Sequence, residues 1–529
     1  MRRRALSAVV PVCVGVVGLS VLLAAQGANT LRQTAFLKAT SPDKFDHFGE
    51  GGVLDGHAGQ GVAISADGNT IAVGAPHEAS NARGIGGNQN DNSTYDAGAV
   101  YVFARNGAMW RPQAYVKASN PSRSAHFGAS VALSADGSTM VVGAPWESSG
   151  SKGINSTPDT SLPQAGAVYV FTRSGTTWSQ QAYIKSSNAG QAGEEGDGDQ
   201  FGFSVAISGD GSTIAAGANS EDSNATGING NQNDDSASSA GAVYVFGRTG
   251  TTWTQQAYIK SDSPAMAVAG IQFGYSLALN RDGTTLAVGV YDERGGGRAV
   301  NAPIDNGRGG SGAVYVYRRA GTAWAREAYL KTWNSEGGDS WGVSVALSED
   351  GNTLATGSHD EDCLCKGVAT DPSIGSTDQK ADLSTGGVAV FVRSGATWTQ
   401  QAYVKASNTG TRGDWFGARL SVSGDGNTLA VGAQNEDGNA KGINGSQDND
   451  AAEDAGAVYL FTRTGTAWSQ IAYVKGSNTE AYDEFGSSVA LSRDGRTMAV
   501  GARGEDSGAN GNQADNSVDE AGAVYVFTR

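Results

Sequence analysis

Short apolar runs alternate with polar turns along the whole chain. Within the stretch 201–260, four such runs follow one another, at 204–208, 213–218, 241–246 and 256–260. Their lengths and the Gly, Asp and Ser residues between them are typical of strands, and no helical period of 3.6 residues is present. The pattern predicts a four-stranded antiparallel sheet. One sheet of this size cannot bury both of its faces, so it must pack against copies of itself.

The copies can be located by a Phe-Gly pair that opens the stretch. Its glycine recurs as Gly128, Gly202, Gly274, Gly342, Gly417 and Gly486. A degenerate first copy has Ala58-Gly59 at this place, with Phe48-Gly49 as an alternative start followed by an insertion. Counted from Gly59, the spacings run from 68 to 75 residues, which suits the blades of a propeller. The predicted blades start near residues 58, 127, 201, 273, 341, 416 and 485.

The two ends of the chain indicate a closed ring. The seventh repeat stops after its third strand at 522–527, and a sequence like the missing fourth strand lies at 33–38. A closing strand within 31–40 would complete the last sheet and remove the open ends of the stack. We therefore predict an all-β fold, a seven-bladed β-propeller of four-stranded antiparallel blades that occupies residues 28–529.

The N-terminal residues predict export. Three arginines at 2–4 precede an apolar run from 5 to 25, and small residues surround position 27. This is the pattern of a signal peptide, here 1–27, with cleavage before Ala28. An uncleaved membrane anchor is the alternative, because the apolar run is long for a signal. A secreted, periplasmic or cell-surface location follows from either interpretation.

Charge excludes some partners. The chain of 529 residues has a net charge of −16, and removing Arg2, Arg3 and Arg4 with the signal takes it to −19. An acidic protein without a basic stripe is a poor ligand for nucleic acid or anionic lipid. No second apolar span is present, so no stable membrane insertion is expected after cleavage. We expect a monomer with an extracellular protein or glycan as its partner.

Two motifs resemble a known family. The Phe-Gly start and the Gly-Ala-Pro after the second strand, at 74–76 and 143–145, resemble FG-GAP repeats, which form the integrin α-subunit propeller and occur in exported bacterial proteins. The resemblance implies a seven-bladed propeller and a role in adhesion. The hairpins between the first two strands hold one Asp each, so the family's calcium loops do not carry over. The hairpins also differ from the Asp box of sialidases, because Asp and Gly are adjacent and no Trp follows.

The loops between the second and third strands are rich in Asp, Glu and Asn. They share a face with the connections from the fourth strand to the next blade, which carry Asp199, Asp339, Asp414 and Asp483. Oxygen ligands of this kind suit calcium, and well-solvated turns are the other interpretation. The candidate metal ligands are Glu221, Asp222, Asp234, Asp235, Glu436, Asp437, Asp448, Asp450, Glu505, Asp506 and Asp515.

No catalytic site is predicted. The acidic loops recur in several blades, whereas an active site is normally unique, and the histidines at 47, 57, 77, 126 and 359 recur at no repeat position. The lysine that ends each fourth strand is interpreted as an exposed edge charge that discourages strand pairing. Cys363 and Cys365 form either a disulfide or free thiols. No cofactor is predicted with the exception of calcium.

Three functions remain open at this point. The first is an exported, non-catalytic binding or adhesion propeller that recognises a protein or glycan through the face of the 2–3 loops and 4–1 connections. The second is a structural component of the cell envelope or matrix that calcium stabilises. A propeller glycosidase is the most distant of the three.

Overall fold

A computed structural model describes residues 30–52, 59–190, 198–262, 270–371, 383–410, 413–509 and 511–529. The predicted signal peptide, 1–27, lies outside the described residues. The described chain forms seven antiparallel sheets arranged in a ring, which confirms the predicted seven-bladed propeller. In this part of the chain, no helix is long and apolar enough to cross a bilayer.

The first three blades each contain four strands. They are β2 (Val62–Ile64), β3 (Thr70–Ala75), β4 (Ala99–Asn106) and β5 (Met109–Val116); β6 (Ser130–Leu133), β7 (Thr139–Ala144), β8 (Ala167–Ser174) and β9 (Thr177–Ile184); and β10 (Ser204–Ile207), β11 (Thr213–Ala218), β12 (Ala242–Thr249) and β13 (Thr252–Ile259). The first strand of every blade lines the axis of the ring, and in blades 1 to 6 it is the shortest of the four.

The other four blades repeat this plan. They are β14 (Ser276–Leu279), β15 (Thr285–Val290), β16 (Ala313–Ala320) and β17 (Ala323–Leu330); β18 (Ser344–Leu347), β19 (Thr353–Ser358), β21 (Gly387–Ser394) and β22 (Thr397–Val404); β23 (Arg419–Val422), β24 (Thr428–Ala433), β25 (Ala457–Thr464) and β26 (Ala467–Val474); and β27 (Phe485–Leu491), β28 (Thr497–Ala502) and β29 (Ala523–Thr528) with β1 (Arg32–Leu37).

The N-terminal strand closes the ring as predicted. β1 pairs antiparallel with β29, from Arg32 opposite Thr528 to Leu37 opposite Val524. Phe36 packs edge-on against Tyr525 with the ring centroids 5.0 Å apart. The two ends of the chain therefore share one sheet.

The hairpin between the first two strands of a blade is held by its own side chains. In blade 2, the Ser134 hydroxyl donates to Asp136 Oδ1 at 2.6 Å, and the backbone N–H of Thr139 donates to Ser134 Oγ at 2.9 Å. Gly137 supplies the positive φ of 64° that the tight turn requires. The Ser-x-Asp-Gly-x-Thr motif is thus a turn motif.

Adjacent blades approach most closely at a pair of glycines. A side chain at Gly74, near the end of β3, would place its Cβ 2.0 Å from the carbonyl oxygen of Gly128, the glycine of the next Phe-Gly pair. Gly49 makes the equivalent contact with Gly501 of blade 7, and Phe48 packs on Tyr101 and Phe103 of blade 1. Phe48-Gly49 is therefore the opening pair of blade 1, which corrects the expected start near 58. The chain between Gly49 and β2 is the insertion.

The core lies between neighbouring blades. Phe127 packs edge-on against Tyr169 and Phe171 of its own blade, at 5.2 and 6.0 Å between ring centroids. These rings pack against Val100 and Val116 of the preceding blade in one buried cluster. Six further interblade clusters have the same composition. Burial of aromatic and branched side chains between sheets therefore holds the ring together.

The axis of the ring holds a cavity of about 300 Å³, which the first strands of all seven blades line. Phe203, Tyr275 and Val343, each the residue after a Phe-Gly or Trp-Gly pair, form a buried apolar cluster on the 2–3 loop side of this cavity. Arg419 is also buried there and donates to the carbonyl oxygens of Gly51 and Ser487 at 2.8 and 3.0 Å. The axis is therefore filled by side chains on this side.

Blade 5 departs from the common plan. A short additional strand, β20 (Val368–Ala369), pairs with β22 and makes this sheet five-stranded. In blades 1, 2, 3 and 6, a single isoleucine forms an isolated bridge at the same place. Cys363 and Cys365 are joined by a disulfide in the loop that leads to β20.

Candidate functional site

The lysine that ends each fourth strand is buried, so its interpretation as an exposed edge charge is wrong. Lys117 and Lys185 have no exposed surface, and each lies beside a glutamate that begins the 2–3 loop of its own blade. The seven pairs, with their Nζ–Oε2 distances, are Lys38–Glu505 at 3.1 Å, Lys117–Glu78 at 2.5 Å, Lys185–Glu147 at 2.7 Å, Lys260–Glu221 at 2.6 Å, Lys331–Glu293 at 2.9 Å, Lys405–Glu361 at 2.7 Å and Lys475–Glu436 at 2.7 Å.

In five blades, the glutamate also accepts a hydrogen bond from an asparagine that follows the last strand of the preceding blade. In blade 3, Glu221 Oε1 accepts hydrogen bonds from the Tyr258 hydroxyl at 2.8 Å and from Asn188 Nδ2 at 3.0 Å. Asn188 follows the last strand of blade 2, and its side-chain oxygen accepts a hydrogen bond from Tyr244 of blade 3. Of the predicted metal ligands, Glu221, Glu436 and Glu505 are therefore members of these buried ion pairs.

Three predicted metal ligands orient the backbone before the third strand. Asp222 Oδ1 accepts the backbone N–H of Ser239 at 2.7 Å. Asp437 and Asp506 accept the equivalent N–H groups of Asp454 and Glu520 at 2.9 and 2.7 Å. These carboxylates fix the path of the chain where it enters the third strand of the blade.

The remaining predicted metal ligands lie farther out on the loops. Asp234 is half-buried and accepts hydrogen bonds from Ser236, Asp515 is half-buried, and Asp235, Asp448 and Asp450 are exposed. Within the described residues, the groups of His, Cys, Asp and Glu close enough to share an ion contain none of the eleven. Calcium binding by these loops stays a prediction.

Five buried aspartates lie two residues before the opening aromatic of a blade. Burial, together with repulsion by the glutamate of the same blade, raises the pKa of Asp46 and Asp199 to about 8 and that of Asp339, Asp414 and Asp483 to about 7. These carboxyl groups hold a proton in the folded ring at pH values where an unfolded chain has lost it.

Stability is therefore expected to fall as the pH rises from 5 to 8. In this window the folded state binds more protons than the unfolded state, so the free energy of unfolding decreases with pH, by up to a few kcal/mol per carboxyl. Around Asp199 the neighbouring acids are Glu221, Asp222 and Asp235. In thermal melts across this range, the double variant Asp199→Asn/Asp414→Asn should show a shallower fall than the wild type.

Asp136→Asn is the matched control for this experiment. Burial opposes ionisation of Asp136 as well, but hydrogen bonds from Ser134 and Ser138 hold its pKa below the usual range. It is ionised throughout the window, so its removal should leave the slope unchanged. A slope equally shallow in both variants would contradict the assignment.

The residue before each opening aromatic surrounds the axis on the 2–3 loop face. All seven have left-handed backbone conformations, with φ between 49° and 58°. They are His47, His126, Gln200, Gln272, Ser340, Trp415 and Glu484. Two of the histidines therefore share a repeat position, which corrects the expectation that none recurs. This ring of side chains differs from blade to blade, unlike the buried ion pairs below it.

Three histidines lie close together on the 2–3 loop face, where blades 7, 1 and 2 adjoin. His77 lies between His47 and His126, with ring centroids 4.7 and 4.9 Å away, and His126 packs against Trp146 at 4.6 Å. His77 Nδ1 lies 3.0 Å from Asp96, and its Nε2 lies 3.4 Å from Glu50. Sequence reasoning missed this cluster because its members come from two 4–1 connections and one 2–3 loop.

Hydrogen bonds, burial and neighbouring charges together determine which members of the cluster are charged. Burial alone would lower the pKa of His77, but Asp96 and Glu50 raise it to about 9. Burial would raise the pKa of Glu50, but hydrogen bonds from His47 and His77 hold it well below its usual range. Burial, helped by the charge of His77, lowers the pKa of His126 to about 4. At neutral pH, His126 is therefore uncharged beside a charged pair.

Exposed aromatic side chains lie around the three histidines on the 2–3 loop face. Phe45, Tyr95 and Tyr482 are 52%, 60% and 57% exposed, and they lie at the junctions of blades 7 and 1, 1 and 2, and 6 and 7. The N–H of Phe45 donates to the carbonyl oxygen of Asp519, and the N–H of Tyr482 donates to that of Glu453, at 3.0 and 2.8 Å. The three residues thus occupy three consecutive blade junctions. We call this surface the aromatic sector.

Two of these aromatics occupy strained backbone positions. Phe45 and Tyr482 have φ of 64° and 67°, three residues before the opening Phe. The equivalent residues of blades 4 and 5 are Gly270 and Gly338, with φ of 83° and 90°. A bulky residue in this conformation costs about 1 kcal/mol or more. The two exposed aromatic residues therefore carry a conformational cost that glycine avoids at the same position.

Two segments of the chain, 110–171 and 468–527, match the family model of the FG-GAP repeat. The chain is a propeller with FG-GAP repeats. Each matched segment runs from the fourth strand of one blade through the third strand of the next. The ends of this FG-GAP propeller divide a blade at the same point as the matched segments. The chain ends after a third strand, and β1 at its N-terminal end supplies the fourth strand of the last blade.

Two solved structures are similar to this chain. One is a Bacteroides uniformis protein provisionally assigned as a 6-phosphogluconolactonase, with 10% identity, a TM-score of 0.43 and coverage of 79% of this chain and 85% of that chain. The other is Kuenenia stuttgartiensis hydrazine synthase, with 12% identity, a TM-score of 0.44 and coverage of 88% and 94%. The search of curated protein sequences gave no match.

Proposed function

We propose that this FG-GAP propeller is an exported, non-catalytic binding protein that contacts a protein or glycan through the aromatic sector. The observation that carries the proposal is the presence of Phe45 and Tyr482, half-exposed and strained, where other blades have glycine. Aromatic side chains are enriched at the centres of interfaces because they bury a large area at a low cost in conformational entropy. The predicted signal peptide supports export.

The charged side chains of the aromatic sector indicate which classes of partner can bind there. Glu453, Asp519 and Glu520 lie on the 2–3 loops opposite Tyr482, Phe45 and His47. Glu453 accepts a hydrogen bond from the Tyr482 hydroxyl at 2.7 Å. Two cations also lie here, Lys44 beside Asp519 and Arg123 over the Tyr95 ring, so the rim is mixed with an acidic excess. Such a rim favours a neutral glycan or a basic protein surface, and it disfavours nucleic acid.

The repeated acidic positions support a structural role for the rest of this face. The glutamates of all seven blades are in buried ion pairs, and three aspartates orient the turns above them. This arrangement holds the exposed loops on a rigid frame. A surface that is rigid before binding loses less entropy when a partner is bound.

The variant Phe45→Gly/Tyr482→Gly separates binding from folding. Glycine adopts positive φ without strain, so the melting temperature should stay the same or rise. Binding should weaken by at least about tenfold, because each interface anchor contributes roughly 1–2 kcal/mol or more. The measurement is binding of the labelled wild type and variant to glycan and protein arrays.

A second variant controls for general loss of apolar surface. Met109 and Ile471 are also exposed, at 58% and 41%, but they lie on strands β5 and β26. Met109→Ser/Ile471→Ser should keep wild-type binding. The proposal is wrong if the glycine variant binds as well as the wild type, or if the wild type binds neither array.

A further inference from the structure

The convergence of His47, Glu50 and His77 forms a ligand set for a metal ion. The two histidines and the glutamate each present one ligand atom, and the three atoms lie within 4.8 Å of one another. His47 Nδ1 and His77 Nε2 are 2.9 and 3.4 Å from Glu50 Oε2. Two imidazoles and one carboxylate are ligands of Zn²⁺ and of other divalent transition metals, whereas calcium prefers oxygen ligands only.

We propose that His47 Nδ1, Glu50 Oε2 and His77 Nε2 bind one divalent transition-metal ion, with Zn²⁺ as the best-fitting ion. Zinc bonds to nitrogen and oxygen of about 2.0–2.1 Å in a tetrahedron place the ligand atoms about 3.3 Å apart. The distances from Glu50 Oε2 to His47 Nδ1 and to His77 Nε2, 2.9 and 3.4 Å, differ from this value by only a few tenths of an ångström. Three protein ligands leave a fourth position for water or a further donor.

The groups around the ligands are arranged as in metal sites. His77 uses its other nitrogen, Nδ1, for the 3.0 Å contact with Asp96, and His47 uses Nε2 for a 3.0 Å contact with Glu520. A carboxylate on the second nitrogen fixes the orientation of an imidazole and increases its basicity toward a metal. Both histidines have such a carboxylate partner. Two histidines that are neighbours by chance would not each need one.

The glutamate is held in place as well. Glu50 Oε1 accepts a hydrogen bond from Arg503 Nη1 at 2.8 Å, which leaves Oε2 toward the histidines. Arg503 is oriented in turn by two hydrogen bonds to Glu484, at 2.6 and 2.7 Å. Glu50 itself is buried. The carboxylate is therefore positioned before an ion arrives.

The local charge favours a cation, and solvent can reach the ligands. Besides Glu50, the carboxylates of Asp96 and Glu520 contact the two histidines, and Arg503 is the guanidinium that contacts Glu50 and Glu484. The side chains of His47 and His77 are 16% and 20% exposed. An ion can enter from the 2–3 loop face.

A competing set shares one ligand with this one. His77, Asp96 and His126 also bring three ligand atoms within 4.8 Å of one another. Among the described residues, neither ring nitrogen of His126 has a hydrogen-bond partner. We assign the ion to the first set because both of its histidines are supported by carboxylates. The second set is a distinguishable outcome of the test.

The test is a calorimetric titration of the chelator-treated full-length protein with zinc chloride. One Zn²⁺ should bind per chain, and His47→Gln and His77→Gln should each weaken the affinity by about 100-fold or more. His359→Gln is the matched control and should leave the affinity unchanged. His359 contacts Asp360 and Trp415, away from this cluster.

A further variant tests the arrangement without removing a ligand. Glu520 is half-exposed at its side chain, 51%, so Glu520→Gln should fold normally while weakening zinc affinity by about 10-fold to 100-fold. Far-UV circular dichroism verifies the fold of each variant. The proposal fails if no stoichiometric zinc binds, or if His126→Gln abolishes binding while His47→Gln does not. It uses none of the observations on the aromatics, so it can fail while the proposed binding function holds.

Discussion

Deleting residues 30–40 is expected to unfold the propeller. The deletion removes β1, which contributes the buried Leu37, the Phe36 ring against Tyr525, and Lys38 beside Glu505. An uncompensated buried charge costs about 3–5 kcal/mol, and each lost apolar side chain costs about 1.5–3 kcal/mol more. Because folded proteins are stable by about 5–15 kcal/mol, most of the stability should be lost. Denaturant unfolding monitored by tryptophan fluorescence measures this loss.

A permuted chain controls for the deletion. If residues 31–40 are attached after Arg529 through a short Gly-containing turn, as in the hairpin at Gly465, the same strand can pair with β29 from the other end. This variant should recover the wild-type unfolding midpoint, since the strand and its contacts are unchanged. A deletion variant as stable as the wild type would show that ring closure by β1 contributes little.

Replacing Lys260 by methionine should cost about 3–5 kcal/mol of unfolding free energy. The substitution keeps most of the apolar stem but leaves the carboxylate of Glu221, which is 1% exposed, without the cation at 2.6 Å. Tyr258 and Asn188 still donate to Glu221, but neither carries a charge. Chemical unfolding followed by circular dichroism gives the free energy.

Two further variants test the buried pair. Lys260→Met/Glu221→Gln removes both charges and should recover part of the loss, because a neutral amide is cheaper to bury than an unpaired carboxylate. Lys44→Met removes one partner of an exposed pair, with side chains 58% and 54% exposed, and should leave the unfolding midpoint unchanged. A double variant less stable than Lys260→Met would contradict the role of charge burial.

Local sequence patterns account for the parts of the fold that could be predicted. The runs that became strands, the Ser-x-Asp-Gly-x-Thr turn at 134–139 and the strand at β1 each depend on neighbouring residues or on similarity to another repeat. The start of blade 1 was misplaced because the insertion between Gly49 and β2 interrupts the spacing. The number of repeats can still be counted correctly when one repeat contains an insertion. The residue at which that repeat starts cannot be assigned from the spacing.

The candidate site could not be predicted to the same extent, because it depends on contacts between distant segments. Lys117 is separated from Glu78 by 39 residues, and its position at a strand end is equally compatible with an exposed edge. His47 and His77 meet because a connection and a loop converge at one junction. An alignment of the repeats with gaps would have revealed two signals, the histidines before Phe48 and Phe127 and the aromatics that replace glycine.

The central claim is that the aromatic sector is the binding surface of the propeller. The most direct measurement is amide hydrogen exchange of the full-length protein with and without the strongest binder from the arrays. New protection is expected in the segments that contain Phe45, Tyr95 and Tyr482. Protection confined to the hairpins between first and second strands, or to blades 3 to 5, would contradict it.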